Sequence, residues 1–121
     1  MITRFDETAL RLILKDAWSL DTARQWTPQT PAAGQCNVTT VAIFDLFGGL
    51  ICQTPLEGYE VPHFYNIIDG RRVDLTDSQF NAPVDYADHP SDRKTAMRWV
   101  TRDELSILLD RLKAALDQKD V

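Results

Sequence analysis

The 121-residue chain has only two cysteines and two histidines, and no Cys-x-x-Cys pair. Neither a disulfide framework nor a structural zinc site of ordinary ligand spacing is indicated, and a reducing compartment suits it. No apolar run approaches the ~20 residues that cross a bilayer. The start, one Arg followed by acids, lacks the pattern of a secretory leader, so a soluble, cytoplasmic protein with no membrane partner is expected. Basic residues are scattered, and 13 Lys and Arg stand against 18 Asp and Glu for a net charge of −5. Nucleic acid, whose phosphates need clustered cations, is not an expected partner. There is no internal repeat or low-complexity segment, and the length fits one domain, 1–121, with a single core.

What the chain does have is a stretch from 31 to 50 organised around Cys36. A Pro/Ala/Gly-rich approach leads to Gly34-Gln35-Cys36, then an apolar segment closed by Gly48-Gly49. Val38, Val41, Ala42, Asp45 and Leu46 fall at helical spacing and the glycines are a stop signal, so a helix is expected over 37–47. Cys36 then sits at its first turn, where unpaired backbone N–H groups and the positive end of the helix dipole favour a thiolate. Most free cysteines are simply small buried hydrophobes. That explanation suits Cys52, within the strand-like run Leu50-Ile51-Cys52-Gln53-Thr54, better than it suits Cys36, whose neighbours Gly34 and Gln35 are poor core residues.

Before this stretch, Leu10, Ile13, Leu14, Ala17 and Trp18 recur on one face of a helix expected over 6–20, with Asp6 as N-cap and Phe5 and Leu10 placed as a hydrophobic staple. Residues 19–34 lose the pattern, and an irregular segment of about fifteen residues is usually functional or disordered. Trp26 argues for order. It lies against either the core or the wall of a cleft leading to Cys36, with the core favoured because large aromatics are mostly buried.

After the central helix come a strand over 49–53, a Pro55- and Gly58-containing loop, and a hairpin whose arms, 61–68 and 71–76, flank Asp69-Gly70. If Ile68 faces Arg71 across that turn, Tyr65 faces Asp74 and His63 faces Thr76. His63, Tyr65, Asp74 and Thr76 then share one sheet face, and His63 and Asp74 are diagonal neighbours within hydrogen-bonding range. Residues 77–90 read as a polar loop anchored by Phe80 and Tyr86, and a short strand is expected near 96–100. Thr101 and Glu104 form a capping box, with Val100 and Leu105 as a staple. They open a final helix with the stripe Leu105, Leu108, Leu109, Leu112 and Leu116.

A cysteine at a helix start, a histidine on a strand and an aspartate beside it are the parts a thiol nucleophile needs. His63 takes or shares the Cys36 proton, Asp74 fixes the ring's orientation and tautomer, and the Cys36 N–H helps hold an oxyanion. A second oxyanion donor falls to Gln35 or Gln29. Trp26 and Tyr65 are the other candidates for contact with a substrate. A competing metal site would use Cys36, His63 and Asp74 or His89, but no local ligand-spacing motif supports it, and no metal or cofactor is expected.

Pro31, Gly34-Gln35-Cys36, Thr39-Thr40, Asp45-x-Phe47-Gly48-Gly49, His63-Phe64-Tyr65-Asn66, Gly70, Asp74-Leu75-Thr76 and Gln79-Phe80 together resemble the YunG-like family of small bacterial proteins over about 18–80. That resemblance implies no reaction. The order of Cys, His and Asp on helix, strand and strand is more loosely similar to the papain-like and transglutaminase-like superfamily of peptidases, amidases, deamidases and acyltransferases. It implies Cys36 as nucleophile, His63 as base and Asp74 as orienting acid. The chain is short for extended peptide pockets, which favours a small amide, an isopeptide or a protein Gln side chain as substrate.

The expectation is an α+β domain with a central helix and two terminal helices on a small antiparallel sheet, acting as a thiol-dependent acyl-transfer enzyme through a Cys36 thioester. The alternatives are a binding or inhibitory module on the same architecture, with interface loops around Trp26, 55–60 and 77–90, and a redox- or metal-sensing thiol.

Overall fold

A computed structural model describes residues 4–119, and residues 1–3 and 120–121, the ends of the expected 1–121 domain, lie outside the described residues. Helix α1 (Glu7–Ala17) starts where expected, with Asp6 Oδ1 accepting from the Ala9 N–H at 3.0 Å and Leu10, Leu14 and Ala17 buried. It stops short of residue 20. Trp18 takes an extended backbone conformation, and its indole N–H reaches Thr39 Oγ1 of the central helix at 2.9 Å. The bond to a neighbouring helix wins over one more turn of α1.

Helix α2 (Cys36–Phe47) begins one residue earlier than the expected 37, so Cys36 is its first helical residue. Every residue from Asn37 to Ile43 is buried, as a central helix requires. It ends at Gly48 and Gly49, with φ of 78° and 84°. A Cβ on Gly49 would stand 2.3 Å from the Ile67 carbonyl oxygen, so this stop needs glycine for space as well as conformation.

Strands β1 (Leu50–Thr54), β2 (His63–Ile68), β3 (Arg71–Val73) and β4 (His89–Ser91) form an antiparallel sheet in the order β3-β2-β1-β4. The β2–β3 hairpin has the anticipated register, with Ile68 opposite Arg71 and Asn66 opposite Val73. Asp69 and Gly70 both have positive φ, 52° and 76°, as a two-residue primed turn demands. The ladder ends at Val73, so Asp74 and Thr76 leave it earlier than the expected arm to 76.

Two sequence expectations are corrected. Residues 89 and 90, read as the end of a loop, belong with Ser91 to the edge strand β4, where Pro90 faces Cys52 and needs no outward donor. The strand expected near 96–100 is instead helix α3 (Arg93–Ala96) followed by a 3-10 turn, Met97–Trp99. Asp92, accepting from the Thr95 N–H at 2.8 Å, caps that turn of helix, which carries the chain into 96–100 in a helical rather than an extended conformation.

The last helix, α4 (Arg102–Lys119), has its reciprocal capping box: the Thr101 N–H donates to Glu104 Oε1 at 2.9 Å and the Glu104 N–H to Thr101 Oγ1 at 3.1 Å. Its Leu105, Leu108 and Leu112 join Leu10, Leu14, Val41, Ile43 and Phe64 in one core between the helices and the sheet. Each such side chain contributes roughly 1.5–3 kcal/mol by leaving water. On β2, alternate residues Phe64 and Ile68 face this core, and Asn66 Nδ2 donates to the Thr40 carbonyl of α2 at 3.0 Å. The other face, with His63 and Tyr65, is covered by the chain after β3, where Phe80 meets His63 and Tyr86 meets Tyr65 edge-on. Among the described residues no helix is long and apolar enough to cross a membrane.

Candidate functional site

The loop before Cys36 is braced from within. The Thr22 hydroxyl donates to Gln35 Oε1 at 2.8 Å, the Gln35 amide donates to the Ser19 carbonyl at 3.4 Å, and Arg111 of α4 donates to the Ala17 carbonyl and Ser19 Oγ at 2.8 and 2.9 Å. Gly34 has φ of 72°, and a Cβ there would fall 2.4 Å from Gln25 Oε1. Gln25 therefore lies directly over the chain two residues before the thiol. Cys36 is half-buried, and its Sγ–H donates to Asn37 Oδ1 at 3.2 Å, while Asn37 Nδ2 holds the Ala96 carbonyl at 3.0 Å. As the first helical residue, Cys36 has a backbone N–H with no intrahelical acceptor.

His63 is the first residue of β2 and is buried, with Nε2 2.7 Å from Asp74 Oδ2. A carboxylate only accepts, so Nε2 carries a hydrogen. The other nitrogen, Nδ1, is buried without a hydrogen bond in the structure, and Cys36 is the neighbour whose thiol interacts with the ring. Burial works against a charged imidazole here. The bond to Asp74 and the interaction with Cys36 outweigh it, and the pKa is pushed up to about 9. Asp74 is pushed up by burial and down, more strongly, by His63, by Tyr86 and by the Thr76 N–H, so its carboxyl is held below the usual range. Its four hydrogen bonds are His63 and the Tyr86 hydroxyl (2.6 Å) on Oδ2, and the Thr76 N–H and hydroxyl on Oδ1.

Cys36 and His63 line one cavity of about 790 Å³, together with Gln25, Gly34, Asn37, Gln79 and the exposed Tyr59 and Trp99. The other candidates from the sequence stand elsewhere. Gln35 is fully buried and its amide is committed to Thr22 and Ser19, and Gln29 is exposed and outside the cavity lining. Trp26 packs against the core with its indole nitrogen buried and unbonded. Tyr65 is buried and bonded to Thr54 and Asp88 at 2.7 Å each. His89 is exposed on β4, and among the described residues no group of three or more His, Cys, Asp and Glu is arranged to hold a metal ion.

Sequence reasoning missed Gln25 and Tyr86 as parts of this site. Choosing a glutamine by nearness to Cys36 in the chain pointed to Gln35. Gly34, whose missing side chain leaves room for Gln25, was the available signal. Tyr86 was legible as an anchor of the 77–90 loop, but its partner was not, because nothing local ties it to Asp74.

These elements define an α+β protein in which a thiol at a central helix start stands beside a buried imidazole–carboxylate pair. The chain belongs to the YunG family, whose description, "YunG protein", matches residues 6–117, well beyond the 18–80 that carried the resemblance. It is 44% identical over 87 residues to the "Uncharacterized protein YunG" of Bacillus subtilis (strain 168), covering 72% of this chain and 74% of that one. No solved structure matches it.

Proposed function

We propose that the protein is a thiol-dependent acyl-transfer enzyme with Cys36 as nucleophile, His63 as base and Asp74 as the group that orients His63. The observation that carries this is the unpartnered Nδ1 of a buried His63 beside Cys36, with Nε2 already bound to Asp74, in the wall of a cavity. A buried nitrogen without a partner is costly unless a neighbouring group uses it. In acylation the Cys36 proton is held at Nδ1, giving the imidazolium that the raised pKa favours, and the sulfur attacks a carbonyl carbon. The C–N bond then breaks, the imidazolium returns the proton to the leaving amine, and a Cys36 thioester remains. Attack by water or by an amine, deprotonated at the same nitrogen, breaks the C–S bond and releases the acid or a new amide, and the imidazolium returns its proton to the Cys36 sulfur.

The oxyanion would be met by the Cys36 N–H and by the Gln25 side-chain amide, which takes the role first given to Gln35 or Gln29. The cavity volume is that of a small-molecule site, which favours a small amide or a single inserted side chain over an extended peptide. The order of parts is similar to papain-like and transglutaminase-like enzymes, as an analogy of arrangement. The test uses p-nitrophenyl acetate as a small activated acyl donor. The expected result is a burst of p-nitrophenol with an acetyl mass mapped to Cys36, lost in Cys36→Ala and slowed in His63→Ala. Acetylation no faster at Cys36 than at surface lysines would overturn the reading and favour the binding-module alternative.

A further inference from the structure

One oxygen of Asp74 has two claimants. Oδ2 receives His63 Nε2 at 2.7 Å and the Tyr86 hydroxyl at 2.6 Å, whereas Oδ1 is held, less tightly, by the Thr76 N–H and hydroxyl at 3.2 and 3.3 Å. Against a carboxylate the phenol is necessarily the donor. Its ring is fixed on both sides, edge-on to Tyr65 with centroids 5.0 Å apart and beneath the Arg72 guanidinium at 4.2 Å. Arg72 is itself fixed by a fork of bonds to Asp88 at 2.9 and 2.6 Å.

His63 and Tyr86 both pack against the titratable ring of Tyr65. Cys36 and Asp74 face His63; Asp74, Asp77 and Arg72 act on Tyr86; Asp88 stands behind Arg72. Arg11 of α1 grips the Asp74 carbonyl at 2.9 Å and pairs with Asp77 and Glu7. Among the described residues, His63 and Tyr86 are the two that donate to Oδ2. A hydrogen bond to an ionised carboxylate stabilises that anion and makes it less basic toward any other proton it holds.

We propose that Tyr86 is a positioning residue of the His63–Asp74 pair, dividing the acceptor capacity of Oδ2 and so limiting how firmly Asp74 retains the proton on the imidazole. This rests on the reading of His63 as base and deepens it. An imidazole held too firmly could accept the thiol proton but would be slow to return it to a leaving amine. Catalytic acids and bases work best when their affinity for the proton lies near the working pH. Tyr86 moves the pair in that direction. The Arg72 cation over its ring strengthens the effect by drawing electron density from the phenol, linking the pair to a half-exposed ion pair at the surface.

The experiment is a pH titration of the full-length ¹⁵N-labelled protein, following the ring nitrogens of His63 in the parent and in Tyr86→Phe, with His89 as internal reference. Phenylalanine keeps the ring and deletes the donor. The expected result is an upward shift of the His63 midpoint by about half a pH unit or more, the order expected for losing one competing hydrogen bond to a charged group. His89 stays where it is, and the alkaline limb of Cys36 acylation moves with His63. A His63 midpoint that is unchanged or lower overturns the proposal. Should Tyr86→Phe not fold, ¹³Cζ-labelled tyrosine in the parent serves instead. The Tyr86 signal must then follow the His63 titration with the same midpoint, and a flat signal overturns the proposal. Failure of the catalytic reading looks different: Cys36 alkylation would ignore His63→Ala whatever Tyr86→Phe does to the titration.

Discussion

Cys36 and Cys52 are the same residue in two unlike settings. Cys52 lies within β1, flanked by β2 and β4, is 7% exposed, and burial pushes its thiol pKa up. Cys36 heads a helix, is half-buried, lines a cavity and has an imidazole beside it. Burial within a sheet protects a thiol from chemistry, whereas the helix start supplies an unpaired N–H and access. The histidines repeat the lesson. His63 is enclosed and tied to a carboxylate, and His89 is exposed on an edge strand.

The largest effect that would break this comparison is removal of the nucleophile. Cys36→Ala is expected to lower acyl-enzyme formation from p-nitrophenyl acetate by ~10³-fold or more, and Cys52→Ala to leave it within about twofold, both read by intact mass. Next, His63→Ala should slow acylation by about 10²-fold or more with little change at Cys52, as loss of a general base does. Gln25→Ala sharpens the oxyanion assignment. A slowing of about 10²-fold in acylation with an unchanged melting temperature is expected, and no slowing would return the second donor to an unassigned state.

Two smaller effects concern stability. His63 has a folded pKa near 9 against about 6.5 unfolded, so its contribution is complete below pH ~6.5 and is lost as pH rises through 9. Asp74 is lowered, so its contribution is present above the unfolded value of about 3.8 and lost as pH falls below it. Urea unfolding should therefore show the pair at full strength between about pH 4 and 6.5 and a loss of a few kcal/mol by pH 9 to 10. Asp74→Asn should flatten the alkaline part of that curve. Smaller again, Gly34→Ala should lower unfolding free energy by roughly 1–3 kcal/mol, because alanine resists the positive φ and displaces Gln25.

Much of the frame was legible because its signals are local. Asp69-Gly70 set the hairpin register, Asp6 and Thr101 with Glu104 marked two helix starts, and the paired glycines ended α2. The same register places Asp74, just beyond the ladder, within reach of His63. What was not legible depends on distant partners. β4 exists because the edge of β1 was open to it, although its own three residues include a proline. Asp92 caps a helical turn over Arg93–Ala96 that leads into the segment expected as a strand, and Trp18 ended α1 early to reach Thr39. Gln25 lies over Gly34 and lines the same cavity as the thiol, and Tyr86 reaches Asp74 from the far end of an irregular segment.

The most direct test of the central claim is site-resolved alkylation by iodoacetamide across pH, with Cys36 and Cys52 quantified in the same sample, in the parent and in His63→Ala. The account predicts that Cys36 reacts much faster than Cys52 near neutral pH and that His63→Ala removes most of that advantage while leaving Cys52 unchanged. Equal and slow alkylation of the two thiols, or a Cys36 rate indifferent to His63, would contradict it.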